Sequence, residues 1–100
     1  MENKYKIKFE KSAKQDLKMT QFYIKEILKE PQISGKLVEK IFNSIAMLEY
    51  YPEIFQKIGN LSQIRRLIVK NYNILYFINK EIKKVYILHI YHKSKNIKVK

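Results

Sequence analysis

The order of apolar and polar residues in the first half of the chain predicts one strand and two helices. Residues 5–9 alternate between apolar and charged side chains, which is typical of a half-buried strand at the edge of a sheet. Ser12 and Gln15 form a capping-box pattern that opens a helix of about 18 residues, which ends before Pro31 because the residue preceding a proline avoids helical geometry. A second apolar stripe predicts a helix over about Ser34–Glu49, with the serine as its N-cap.

The second half of the chain predicts three further strands. Three apolar runs rich in β-branched and aromatic residues occupy Ile64–Val69, Tyr72–Ile78 and Val85–Tyr91. The links between them are too short for a parallel return, so the strands form an antiparallel meander. The order β-α-α-β-β-β predicts an α+β fold, a two-layer sandwich with a helical hairpin on one face of a mainly antiparallel sheet and the other face open. We expect residues 1–100 to form one domain.

The composition of the chain excludes several classes of protein. Of the 100 residues, 46% are hydrophobic and only two are glycine and two proline, which excludes a disordered or low-complexity chain. Cysteine is absent, so disulfides and thiolate chemistry are excluded. No apolar run approaches the roughly 18 residues of a membrane span, and the charged N-terminus lacks the apolar core of a signal peptide. We therefore expect a soluble, cytoplasmic protein.

Positive charge is concentrated in the predicted meander. The chain carries a formal net charge of +12. Residues 1–60 hold eleven lysines and eight acids, a net charge of +3, whereas residues 61–100 hold ten basic residues and one acid, a net charge of +9. Such a basic region attracts a polyanion or an acidic protein partner. Lysine enrichment that serves solubility alone is the alternative.

Two histidines near the end of the last strand are the first candidates for chemistry. His89 and His92 are three residues apart, so strand alternation places them on opposite faces of the sheet. His89 is then on the face of Ile87 and Tyr91, and His92 is on the face of Ile90. We expect no metal or cofactor, and the chain has no phosphate-binding glycine loop or nucleophile elbow. Each histidine is either a general acid or base or a satisfied polar side chain at a strand end.

Basic residues flank both ends of the meander. Arg65 and Arg66 are adjacent on a strand, so one faces the open side and the other faces the helices or the rim. A guanidinium binds phosphate or carboxylate through two hydrogen bonds, although pairing with a nearby acid is the alternative. Basic and aromatic residues in this region are candidates for binding nucleic acid or another target: Arg65, Lys70, Tyr91 and Lys95.

Four motifs follow one another along the chain. The first helix opens with Phe9-x-x-Ser12-Ala13-x-x-Asp16-Leu17 and contains Phe22-Tyr23-Ile24. The meander begins with Arg66-x-x-Val69-x-Asn71-Tyr72-x-Ile74-x-Tyr76 and ends with the segment VYILHIYHKSKN. This ordered set spans almost the whole chain and resembles the RelE/ParE superfamily of bacterial type II toxin–antitoxin toxins.

The resemblance implies the toxin of a toxin–antitoxin (plasmid stabilization) module, neutralised by a cognate acidic antitoxin. It leaves two activities open. ParE-like members are inhibitors of DNA gyrase, whereas RelE-like members are metal-independent endonucleases that cut mRNA on the ribosome. If this chain is a nuclease, the resemblance implies catalytic roles for His92, Arg66 and Lys93, with His89 and Arg65 as alternates.

Two departures from RelE favour the ParE-like activity. RelE has an arginine directly after the tyrosine of its third strand, where this chain has Asn73, and the C-terminal tyrosine of RelE has no equivalent after Asn96. The long first helix with its Tyr23-Ile24 pair is also more similar to ParE. We therefore expect a ParE-like inhibitor of DNA gyrase. A RelE-like mRNA interferase is the alternative, and a plain nucleic-acid-binding module is the third interpretation.

Overall fold

The computed structural model describes residues 4–59 and 62–94, which contain four strands and two helices in the predicted order. The strands are β1 Lys6–Phe9, β2 Ile64–Val69, β3 Tyr72–Asn79 and β4 Lys84–His92. The helices are α1 Lys11–Phe22, which continues into a π-helical turn over Tyr23–Ile27, and α2 Pro31–Ala46, which ends in a 3-10 turn over Met47–Glu49. No helix in these two described ranges is both long and apolar enough to cross a membrane.

The sheet confirms the predicted meander and the α+β fold. β2, β3 and β4 are antiparallel neighbours, and β1 pairs in parallel with β4, so the strand order is β1-β4-β3-β2. β1 can run parallel to β4 because the helical hairpin and two strands separate them along the chain. The strands of the meander agree with their predicted bounds to within one residue at each end.

Both helices pack on one face of this sheet. Alternate residues of each strand point towards them, and buried side chains from the two layers form the core: Ala13, Leu17, Ile41, Ile45, Leu48, Leu67, Val69, Ile74, Tyr76, Val85, Ile87 and Ile90. The intervening strand residues lie on the opposite, open face. No described helix or strand covers that face.

A β-bulge in β4 changes the faces of its last residues. Ile87 and His89 pair with adjacent residues of β3, so Leu88 is an extra residue in the ladder. His89 therefore faces the open side, and the prediction that it shares a face with Ile87 is wrong. Ile90 points into the core and His92 follows it on the helix side, so the two histidines are on opposite faces as predicted.

Both helices start earlier than the sequence predicts. α1 begins at Lys11, and the hydroxyl of Ser12 donates a hydrogen bond to the carbonyl oxygen of Leu88, 2.6 Å away, instead of capping the helix. The capping-box prediction is therefore wrong. α2 begins at Pro31, whose fixed φ and missing N–H suit the first helical position. Ser34 consequently lies inside the helix, 5% exposed, and is not its N-cap.

Candidate functional site

The structure divides the candidate residues between the two faces of the sheet. Arg66, His89 and Tyr91 are on the open face, whereas Arg65 and His92 are on the face that carries the helices. The two arginines thus point in opposite directions, as predicted, and the structure does not bring His92 together with Arg66. In the described part of the chain, no three His, Asp or Glu side chains are close enough to share a metal ion.

Arg66 and His89 belong to one row across the open face. Leu75 of β3 is the register partner of both, which separates their Cα atoms by two strand spacings, roughly 10 Å. The side chain of Arg66 is exposed, and the next row along the sheet contains Asn73 and Tyr91. A guanidinium and an imidazole in one row can contact the same nucleic-acid backbone.

Asp16 of α1 orients His89. Its carboxylate Oδ2 lies 3.2 Å from Nδ1 of His89 and accepts a hydrogen bond from the backbone N–H of Ile90 at 3.0 Å. When Nδ1 donates to this carboxylate, Nε2 is left as an acceptor that can take up a proton. The side chains of His89 and Asp16 are 38% and 31% exposed, so the pair is open to solvent.

The side chains of Ser12 and Asp16 form hydrogen bonds with backbone groups at the free edge of β4. β1 pairs only with the first half of β4, so among the described strands none pairs with this edge beyond Ile87. The hydroxyl of Ser12 bonds to the carbonyl of Leu88, and Asp16, one helical turn later, bonds to the N–H of Ile90. Sequence analysis missed this role, although the four-residue spacing of Ser12 and Asp16 places both on one side of a helix. The contact fixes α1 against the bulge and so fixes the position of His89.

Arg65 holds the loop that precedes β2. Its Nη1 donates hydrogen bonds to the carbonyl oxygens of Phe55, at 2.7 Å, and Glu53, at 3.2 Å. The hydroxyl of its buried register partner Tyr76 donates to the carbonyl of Pro52 at 2.6 Å. Burial raises the pKa of Tyr76 to about 12, and the nearby charge of Arg65 opposes this shift. Arg65 and Tyr76 therefore fix this loop against the sheet.

His92 lies in a polar turn at the junction of two grooves. Its Nδ1 accepts a hydrogen bond from the backbone N–H of Ser94 at 3.1 Å and lies 2.8 Å from the hydroxyl oxygen of the same residue. Its ring packs edge-on against Tyr72, with centroids 5.2 Å apart. Burial, and to a smaller extent the nearby Tyr23, raises the pKa of Tyr72. His92, Tyr72 and Tyr23 line both grooves, which have volumes of about 750 and 550 Å³.

The candidate lysines lie in the surrounding turns. Lys70 is exposed and has a φ of 56° in the two-residue turn between β2 and β3. Lys93 is also exposed, and its backbone N–H donates to the carbonyl of Asn71 at 2.8 Å. Lys95 lies outside the described residues. The catalytic and binding roles of all these residues stay predictions.

Sequence analysis missed an apolar surface around the tip of the helical hairpin. Six large apolar residues there are 49–67% exposed: Met19, Phe22, Tyr23, Ile27, Leu28 and Ile33. We call this set the hairpin patch. The larger groove runs beside it and is also lined by Lys36, Lys40 and Lys70. Clusters of exposed apolar side chains of this kind mark protein-interaction sites. The sequence does carry a sign of this surface. α1 and the turn after it contain more apolar residues than a single buried face of a helix can hold, so some of them must be exposed.

Solved structures with the same fold come from toxin–antitoxin complexes. The chromosomal ParDE system of P. aeruginosa gives a TM-score of 0.75 at 17% identity, covering 90% of this chain and 97% of that chain. The archaeal RelE–RelB complex of Pyrococcus horikoshii gives 0.65 at 18% identity, covering 93% and 99%. The RelBE2 complex of Mycobacterium tuberculosis gives 0.64 at 23% identity, covering 89% and 98%.

The family assignment rests on the sequence. A search among curated proteins gave no significant match. A family model described as the ParE toxin of the parDE type II toxin–antitoxin system matches residues 7–97, from β1 to beyond β4. Since this match covers nearly the whole chain and agrees with the fold, the chain belongs to the ParE toxin family of type II toxin–antitoxin systems.

Proposed function

We propose that this toxin inhibits DNA gyrase through protein contacts, in the bacterial cytoplasm, and that a cognate acidic antitoxin neutralises it. The observation that carries this proposal is the hairpin patch, because it offers an apolar surface for a protein partner. The match to the ParE family supports the same activity. The nuclease residues inferred from RelE give weaker support to cleavage, because His92 and Arg66 lie on opposite faces of the sheet.

An acidic antitoxin suits the charge of the chain. The formal net charge is +12, and an acidic partner would both be attracted over long range and reduce this self-repulsion. Solved structures with this fold contain RelB or ParD antitoxins beside their toxins, and we extend that assembly to the present chain. A short reading frame that encodes an acidic protein should adjoin the gene.

A ribosome-dependent mRNA endonuclease is the second candidate, and one observation favours it. Arg66 and His89 share a row on the open face, and Asp16 holds the His89 ring. In a metal-independent cut, Nε2 of His89 would accept the proton of a 2′-hydroxyl as its oxygen attacks the neighbouring phosphorus. The 5′ oxygen would leave with a proton from solvent or another acid, while Arg66 stabilised the negative phosphate oxygens.

Controlled induction in a bacterial host separates the two activities. Growth, chromosome integrity and mRNA 5′ ends are followed together, and the purified chain is added to gyrase in a supercoiling assay. The gyrase proposal predicts growth arrest, DNA breaks, filamentation and loss of supercoiling, with messages intact. New in-frame mRNA ends within minutes, together with normal supercoiling, would establish the nuclease instead.

A double variant sharpens this comparison. Arg66→Gln together with His89→Gln removes the candidate catalytic groups from the open face and leaves the hairpin patch unchanged. A gyrase inhibitor that acts through the hairpin patch keeps its growth arrest in this variant. A nuclease that uses these two residues loses both arrest and cleavage.

A further inference from the structure

The four strands that the structure describes contain no acidic residue. β1 to β4 carry five lysine or arginine residues, whereas every described aspartate and glutamate lies in a helix or a connection. The positive charges of the open face therefore have no negative neighbour within the sheet. Such a surface attracts a polyanion.

Two aromatic rings lie side by side in the middle of this open face. Phe77 of β3 and Tyr86 of β4 are cross-strand partners, with ring centroids 6.4 Å apart and planes tilted by 30°. Both side chains are half-buried, so part of each ring remains accessible. Flat rings at the surface of a sheet are platforms on which nucleic-acid bases stack.

Three lysines of β1 and β4 lie beside these rings. Lys8 is the register partner of Tyr86, and Lys6 pairs with Lys84 in the next row, about 7 Å along the strands. All three side chains are on the open face, because they alternate with the core residues of β1 and β4. If the bases of a nucleic-acid chain stack on the two rings, its phosphates lie within reach of these three ammonium groups.

The rings and lysines select among nucleic acids. In a duplex the base faces are stacked inside the helix, so only unpaired bases can reach Phe77 and Tyr86. Recognition of RNA uses polar side chains to contact the 2′-hydroxyl. With the ammonium of Lys8 on a phosphate, the polar group that this row keeps for a sugar is the hydroxyl of Tyr86. The Oδ1 of nearby Asn79 already accepts backbone N–H groups at 3.1 and 3.3 Å. A row with so few groups for a 2′-hydroxyl suits deoxyribose.

We propose that the open face binds single-stranded DNA, with bases stacked on Phe77 and Tyr86 and phosphates on Lys6, Lys8 and Lys84. This surface is separate from the hairpin patch, and it begins one row, about 7 Å, along the strands from Arg66 and His89. The proposal goes beyond inhibition of gyrase and does not rest on it, because it concerns binding by the isolated chain.

Fluorescence anisotropy with labelled twelve-nucleotide strands tests this surface. The chain, made by cell-free synthesis to avoid toxicity, is titrated against oligo-dT, oligo-U and a DNA duplex between 50 and 200 mM salt. We expect oligo-dT to bind at least fivefold more tightly than the other two. Removing three phosphate contacts in the variant Lys6→Gln/Lys8→Gln/Lys84→Gln should reduce the slope of log K against log salt by about 2.

Matched variants distinguish this surface from general charge. Lys14→Gln/Lys18→Gln/Lys25→Gln removes the same charge from the helical layer and should leave the salt slope unchanged. Tyr86→Leu should weaken oligo-dT binding at least fivefold, whereas Tyr86→Phe should retain it, because only the ring is needed. Circular dichroism shows whether each variant is folded. Equal weakening by both lysine variants, equal or tighter binding of oligo-U or duplex, or no binding of oligo-dT would overturn the proposal.

Discussion

Two adjacent arginines show how position decides the role of a side chain. The guanidinium of Arg65 bonds to the carbonyls of Phe55 and Glu53, whereas Arg66 is exposed on the open face. We expect Arg65→Gln to lower the free energy of unfolding by about 1 to 2 kcal/mol, because carbonyls of the loop lose a charged donor. Arg66→Gln should change it by less than about 0.5 kcal/mol. Urea denaturation of both variants measures the difference, and equal losses would contradict this division.

Tyr76 gives the fold a dependence on alkaline pH. Its pKa is raised to about 12 in the folded chain, so the neutral hydroxyl stabilises the fold below pH 10, and this contribution is lost as pH rises through 12. The loss should amount to about 2 to 3 kcal/mol. Tyr76→Phe should cost about 1 to 2 kcal/mol at pH 7, because the carbonyl of Pro52 loses its donor. Above pH 10, stability should fall less steeply in the variant than in wild type, and parallel curves would contradict the assignment.

At the scale of elements, α1 acts as a partner for the edge of β4. Asp16 accepts the N–H of Ile90, so Asp16→Ala should expose this amide and destabilise the fold by about 1 to 3 kcal/mol. Asp16→Asn keeps an oxygen acceptor and should retain most of the protection. Amide hydrogen exchange of Ile90 measures this directly. Lys14→Ala, on the exposed side of the same helix, is the control, and fast exchange there as well would indicate general fraying of α1.

The contact between α1 and β4 also explains why sequence analysis placed the strands well but mistook parts of the site. The strands follow from apolar runs and short links, which are local features. The bulge at Leu88 has no local marker, because VYILHIYH is a nearly continuous apolar and aromatic run without glycine or proline. Its extra residue is accommodated by Ser12, 76 positions away. The local sequence assigns Ser12 to a capping box, but in the folded chain its hydroxyl donates to the carbonyl oxygen of Leu88 instead. The open-face position of His89 was therefore not accessible from the sequence.

At the scale of the whole molecule, apolar and basic surfaces are separated. The hairpin patch surrounds the tip of the helical hairpin, whereas the described strands hold no acid and present lysines and aromatic rings on the open face. One chain thus has one surface of the kind that binds proteins and another of the kind that attracts polyanions. Substitutions on one surface should leave the other intact, since distant sites act independently.

The hairpin patch provides the sharpest test of the proposed target. Phe22→Ser/Ile27→Ser replaces two side chains that are 56% and 57% exposed, so the fold should lose less than about 1 kcal/mol. If these residues contact gyrase, the concentration that halves supercoiling should rise at least tenfold, because central apolar contacts dominate such interfaces. The control Ile82→Ser removes a side chain that is 55% exposed in the turn between β3 and β4 and should retain full inhibition. Inhibition that survives in the double variant would move the gyrase contact away from the hairpin.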